Sequence, residues 1–313
     1  MKKKTINKVL ETKINEWLNS IEDETLRKWL KPRVIVTGGC IASMLLKEKV
    51  NDYDIYFTDI DAVRAVANHY VKKFQDRAPI SPATGTPTKF EVHETNGRIS
   101  IFIKSAGIAG GAGATEDYRY FEMMREGAAG DYVDGVMGPG DIEDLNEEIE
   151  EKVLSADDSV PYRPVFMSSN AITLSNKIQI ILRFYGPPNE IHKNYDFVHC
   201  TNYWTFDTGT VLNLPAMESL MSKELRYVGS LYPLCSIIRL RKFIRREWTV
   251  NAGQILKMIM QCNDLNLKDP AVLQDQLTGV DAAYFIEIMH KVRQKDPEKI
   301  NSAYLIEIID RMF

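Results

Sequence analysis

Little in this chain points to a function by abundance. Four cysteines and five histidines occur among 313 residues. Cys40, Cys200, Cys235 and Cys262 lie far apart with no C-x-x-C spacing, which excludes a disulfide scaffold and the usual cysteine-based zinc and redox motifs. Reduced thiols are expected. His69, His93, His192, His199 and His290 show no zinc-ligand spacing. Excess charge is also lacking: the net charge is -4 and the pI near 5.8, so affinity for nucleic acid requires a local basic patch. No run approaches the roughly 20 apolar residues that span a bilayer, and the opening lysines are not followed by an apolar signal core. These absences predict a soluble, cytoplasmic protein without a membrane partner. "GIAGGAGA" lacks the Lys-Ser/Thr pair of a phosphate-binding loop, and "DYVDG" lacks calcium-loop spacing.

What is present is a core-forming composition, 44% hydrophobic, in a chain long enough for two domains. Residues 5 to 30 carry apolar positions at helical spacing, including Ile6, Leu10, Ile14 and Trp17, which predicts a helix or helix pair. "RVIVT" is a β-branched run that ends at Gly38 and Gly39, so it reads as a buried strand entering a tight turn. A short helix over "CIASMLLKEK" follows. In "DYDIYFTD" strict alternation puts Ile55 and Phe57 on one face and Asp52, Asp54 and Tyr56 on the other, which predicts an edge strand. A helix over "DAVRAVANHYVKKF" and a β-hairpin turning at Asn96 and Gly97 come next, and the hairpin is expected to extend the same sheet. Residues 105 to 160, Gly-rich and then acidic, read as an insertion. "VFMSSNAITLSNKIQIILRFYG" supplies two strand candidates, and "DFVHCTNYW" one more. Beyond residue 211 the spacing becomes helical.

The chemistry lies in the pairing of the glycine turn with the acidic strand. Two glycines let backbone amides approach a polyphosphate, and the following helix offers its N-terminal amides. Asp52 and Asp54, two residues apart on a strand, aim their carboxylates to one side, where they can share divalent cations. The stretch resembles the head motif of the polymerase-beta-like nucleotidyltransferase superfamily, and within it the GGxVRDxLLGxxxxDxD pattern of CCA-adding enzymes and bacterial poly(A) polymerases. Gly38, Gly39, Ile41, Leu45, Leu46, Asp52 and Asp54 fall in register. Ala42 and Ser43 stand where that pattern has Arg-Asp, and Lys47 where it has glycine. The stretch "IQIILRFYGPPNEIHKNYDFVHCTNYW" resembles the matching part of nucleotidyltransferase-fold proteins of phages and viruses.

The resemblance implies an α/β (α+β) fold, with a nucleotidyltransferase-type mixed sheet flanked by helices and an all-helical C-terminal domain. The boundaries are an N-terminal helical segment at 1–30, a head at 31–210 and a helical domain at 211–313. It implies transfer of a nucleoside monophosphate from an NTP to an acceptor hydroxyl on RNA or tRNA, a protein or a small molecule. Two Mg2+ or Mn2+ ions would be held by Asp52, Asp54 and Asp196, with Asp207 as the rival third carboxylate. Gly38 and Gly39, with Ser43 as an additional hydroxyl, would contact the triphosphate. In the helical part, Lys223 and Tyr227 stand four apart on an expected helix, and Arg239 and Lys242 lie on the basic helix "CSIIRLRKFIRREW", as further nucleotide contacts. "RREWTVNA" looks like another motif of the CCA-adding group, but it falls far downstream of the acidic pair and reads as a helix terminus. The competing expectation is a catalytically silent protein, phage-derived, that keeps the fold as a scaffold.

Overall fold

The computed structural model describes residues 1–75, 89–95, 97–104, 120–121, 161–162, 164–168 and 171–267, with Val272 and Gln276. The chain divides into two compact units. The first comprises Met1–Met124, Asp141–His192 and Cys200–Asn213, and the second Arg125–Gly140, Lys193–His199 and Leu214–Phe313.

The first unit begins with α1 (Lys3–Asn19) and α2 (Glu24–Leu30), the latter N-capped by Asp23, whose side chain accepts from the Leu26 amide at 3.0 Å. Then come β1 (Val34–Thr37), α3 (Gly39–Leu46), β2 (Tyr53–Phe57) and α4 (Ile60–Gln75). A hairpin of β3 (Lys89–Thr95) and β4 (Arg98–Lys104) follows, then β5 (Tyr120–Phe121), β6 (Pro164–Ser168), β7 (Ala171–Leu174), β8 (Ile178–Ile181), α5 (Pro188–His192), β9 (Tyr203–Thr205) and β10 (Gly209–Val211). The large sheet runs β10-β9-β1-β2-β8-β7-β6-β5 and is mixed, since β2 and β8 are parallel and the other pairs antiparallel.

Three sequence expectations change here. β2 lies between β1 and β8 and is an interior strand, not an edge; alternation reports that one face is polar, not that a flank is unpaired. The β3–β4 hairpin turns where Asn96 and Gly97 predict, yet it forms its own two-stranded sheet, with Phe90, Ile99 and Ile101 buried in the same core as α4's Val63, Val66 and Tyr70. The run around residues 164–181 folds as three strands rather than two. The bend at Asn176 and Lys177 has positive φ at both residues, which is the geometry of a tight antiparallel turn.

One face of the large sheet carries the core. Val34, Val36, Ile55, Phe57, Ile172, Leu174, Ile178, Ile180 and Trp204 point to α1, α3 and α4 and are almost fully excluded from solvent. Trp17 of α1 packs against Phe57 with ring centroids 6.4 Å apart and donates its indole N–H to the Tyr70 hydroxyl at 2.9 Å. Its polar atom is therefore satisfied inside the core. At the sheet's β10 edge, Asn7 of α1 accepts from both the amide (2.7 Å) and the hydroxyl of Thr210.

In the second unit the described elements from Leu214 onward are helical: α6 (Leu214–Ser222), α7 (Pro233–Arg245) and α8 (Ala252–Asn263), the last N-capped by Asn251. Helices are what the sequence leads one to expect over these described residues. Short bridges, Phe197 to Tyr227 and Glu224 to Thr249, tie the segments between the helices. Phe197, His199, Tyr227, Phe243 and Trp248 form one aromatic cluster, with His199 and Trp248 ring centroids 4.5 Å apart. The C-terminal run "SAYLIEIIDRMF", most of the 105–160 insertion and His290 lie outside the described residues.

Candidate functional site

The face of the large sheet opposite the core is where the glycine turn and the acidic strand come together. Asp54 lies on β2, half-buried, and Asp52 stands exposed just ahead of the strand. The pairing of β1 with β2 runs Ile35 to Tyr56 and Val36 to Ile55; continued by one residue, it sets Thr37 across from Asp54. On the other flank, β8 places Gln179 beside Asp54. Thr173 follows beyond Gln179, and Tyr203 lies beyond Thr37. A polar row, Tyr203–Thr37–Asp54–Gln179–Thr173, therefore crosses five strands on one face, because partners in register project the same way.

Thr37 is fully buried, and its hydroxyl is committed. It donates to the Asn202 carbonyl at 2.9 Å, which leaves its oxygen to accept from His192 Nε2 at 2.8 Å. Thr37 has one proton to give, so the imidazole is the donor in that contact. Burial lowers the His192 pKa to about 4, so the ring is neutral near pH 7.

Gly38 joins β1 to α3 with φ 108° and ψ -155°, a region that only glycine enters without strain. Its amide donates to the Cys200 carbonyl at 3.2 Å, so that N–H is held within the protein. Gly39 is the first residue of α3, and a Cβ placed there meets nothing within 4 Å. The two glycines thus differ in purpose: Gly38 is required by the backbone, whereas nothing in the packing demands glycine at 39. Cys40 follows and is buried; burial raises its thiol pKa well above the usual value, and the charges of Asp54 and Asp52 raise it further. Both carboxylates therefore lie within electrostatic reach of the residue that follows the glycine turn. Ser43 is buried in the second turn of α3, and its carbonyl accepts from the Glu48 amide at 2.8 Å.

The remaining sequence-predicted residues occupy other settings. Asp196 belongs to the second unit and precedes a 3-10 turn at Val198–Cys200 instead of opening a strand. Arg239 of α7 donates to its carboxylate at 2.5 Å, and the Phe197 amide donates to its other oxygen at 3.0 Å. The strand expected over "DFVHCTNYW" is confined to Tyr203–Thr205, because the preceding residues curl into that turn. Asp207 is exposed in the turn between β9 and β10.

Lys223 and Tyr227 do not share a helix. α6 stops at Ser222, and Lys223 takes a left-handed conformation with φ 48°. Its Nζ lies 3.4 Å from the Arg246 carbonyl and 3.9 Å from Glu247. Tyr227 is buried; its hydroxyl bonds Gln261, and burial pushes its pKa up to about 12. Lys242 is exposed on α7.

Sequence reasoning missed Thr37, Gln179, Tyr203 and His192. No local motif marks them, since strand order and register alone bring them beside Asp54. Among the described residues, no group of three or more His, Cys, Asp or Glu side chains is arranged to hold a metal ion.

Over residues 8–223 the chain matches the family described as Gad2, Gabija anti-defense 2 family protein, a span that takes in the row, the glycine turn and the acidic pair. The chain belongs to the Gad2 family. A relative in that line, Gabija anti-defense 2 of Bacillus phage SPbetaL7, is 21% identical over 123 residues, which is 38% of this chain and 31% of that protein. The match to this Gad2 relative therefore spans under a third of its length. Among solved structures, a tRNA-processing enzyme in an apo form overlaps 91% of this chain and 56% of its own, at 12% identity and TM-score 0.39. The Thermotoga maritima CCA-adding enzyme complexed with tRNA overlaps 88% and 53%, at 11% identity and TM-score 0.37. This Gad2 family member thus spans about half the length of those chains, and overlaps of that quality carry no argument about activity. No helix among the described residues is long and apolar enough to cross a membrane.

Proposed function

We propose that this Gad2 family member is a metal-dependent nucleotidyltransferase acting in phage counter-defence, moving a nucleoside monophosphate from an NTP to an acceptor hydroxyl. One observation supports the reading: the β1–β2 register, continued by one residue, sets Thr37, which leads straight into the glycine turn, across from Asp54. The residues fit a divalent cation, since Asp54 on β2 and Asp52, two residues earlier and just ahead of the strand, offer hard oxygen donors. Two Mg2+ ions, or Mn2+, would supply charge stabilisation for the attacking and leaving oxygens.

In this scheme Asp52 and Asp54 would hold the cations, while Gly39, where a Cβ would meet nothing within 4 Å, would leave room for the triphosphate. The acceptor oxygen forms a bond to the α-phosphorus, the α–β bridging P–O bond breaks, and pyrophosphate departs with that electron pair. The acceptor proton passes to a carboxylate. Asp196 can take that part, or bind a cation, only after releasing Arg239. Arg239, Lys223 and Tyr227 would likewise have to leave their present partners to grip a nucleotide. RNA or tRNA, a protein and a small molecule all remain acceptors under this reading.

A second reading, the same fold used as a silent binding protein against the host defence, draws its support from that Asp196–Arg239 pair, which occupies the expected third carboxylate. One experiment separates the two. Purified protein is incubated with Mg2+ or Mn2+, each NTP labelled at the α-phosphate, and RNA, protein and small-hydroxyl acceptors, and phage growth is scored on hosts carrying the Gabija defence. Catalysis predicts label transfer that falls at least about a hundredfold in Asp52→Asn and Asp54→Asn, with counter-defence lost in parallel. Absence of transfer, with both variants still overcoming the defence, establishes the silent reading instead.

A further inference from the structure

Asp54 has two lateral neighbours on its face of the sheet, and they are not equivalent. Thr37, on the β1 side, has its hydroxyl engaged by the Asn202 carbonyl and by His192. Gln179, on the β8 side, is half-buried and has no side-chain hydrogen bond among the described residues. The next residue in the row, Thr173, carries no charge either. An uncommitted amide thus occupies the strand position paired with that of a carboxylate, and a half-buried amide gains by finding a partner.

We propose that Gln179 is a neutral oxygen ligand of the cation site begun by Asp54, and that it makes cation binding depend on nucleotide. The inference rests on the nucleotide-and-metal reading above. Adjacent strands lie about 4.8 Å apart, and hard divalent cations bind carboxylate and amide oxygens at roughly 2.0 to 2.6 Å. Side chains from neighbouring strands can therefore meet on one ion, and glutamine, one methylene longer than aspartate, has the length to lean toward it. Hydrogen bonding has used up Thr37, so Gln179 is the flank with an oxygen to give. The charge consequence follows directly. Asp52, Asp54 and an amide present two negative charges to a divalent ion, and an ion held by so few fixed charges is retained chiefly when a triphosphate brings its own.

The test titrates Mn2+ into the full-length protein and follows the loss of the free-ion paramagnetic resonance signal. It is run with and without a mixture of the four α,β-methylene NTP analogues. Wild-type protein is expected to hold Mn2+ only with the analogues present. Q179L is expected to weaken that binding about tenfold, while Q179E, nearly the same shape, strengthens it about tenfold and holds Mn2+ without nucleotide. If Q179L and Q179E titrate as wild type while D54N loses binding, the role of Gln179 is overturned and the metal site stands. If D54N titrates as wild type, or wild type holds no Mn2+ with any analogue, the site itself is misplaced and the Gln179 proposal falls with it. Q179E preserves the size of the residue, so the test survives even where Q179L fails to fold.

Discussion

The two faces of the large sheet use the same strands under opposite rules. On the core side, β2 contributes Ile55 and Phe57, both fully buried against the helices; one residue out of phase, it contributes Asp54 and Tyr56 to the other side. Tyr56 is buried there beside Ile35, while Asp54 is half-buried. The two faces can be separated by experiment, because substitutions at neighbouring positions fall on different faces.

The widest separation is expected between Phe57→Ala and Asp54→Asn. Losing Phe57 removes a fully buried ring from the core and is expected to cost ~3–5 kcal/mol in urea unfolding, whereas Asp54→Asn should change stability by less than about 1 kcal/mol while abolishing label transfer. Equal destabilisation by the two would erase the distinction between the faces. The glycine pair repeats the contrast at smaller scale. Gly38→Ala places a side chain at φ 108° and is expected to destabilise by ~1–3 kcal/mol. Gly39→Ala, in open space at the start of a helix, should leave thermal stability nearly unchanged and weaken nucleotide binding, read by titration with a fluorescent NTP analogue.

A third contrast uses pH. His192 and His199 have pKa values lowered to about 4 by burial, from 6.5 in the unfolded chain. The unfolded state therefore binds more protons between those values, and stability present above pH 6.5 is lost as the pH falls toward 4. His199 sits in the aromatic cluster, so a His199→Gln protein should show a shallower fall in melting temperature across that window. An unchanged slope would assign the acid sensitivity to other groups. The smallest effect is expected from Arg239→Gln: its side chain and that of Asp196 are 41% and 15% exposed, and loss of the pair should cost about 1 kcal/mol. If that substitution instead raises label transfer, Asp196 has been released for the role of third carboxylate.

Local patterns made much of this readable in advance. The β-branched run at residues 34–37, the glycines after it, and the alternation through Asp52 and Asp54 each report on contacts within a few residues. The hairpin at Asn96 and Gly97 was legible for the same reason. What escaped depends on pairing between distant segments. Gln179 lies in a run that reads only as apolar strand, and nothing near it indicates that β8 will pair in parallel with β2. Asp196 seemed to open a strand because aromatic residues surround it, yet those rings pack into a cluster and the backbone curls beneath them. Lys223 looked helical by spacing, but a left-handed residue ends α6 there.

Asn7 gives the sheet one further property. By taking the outward amide of Thr210 on the three-residue strand β10, it occupies the donor through which another polypeptide would zip onto that border. A capped border does not template growth. With that amide already bonded, strand addition at Thr210 would first have to displace Asn7.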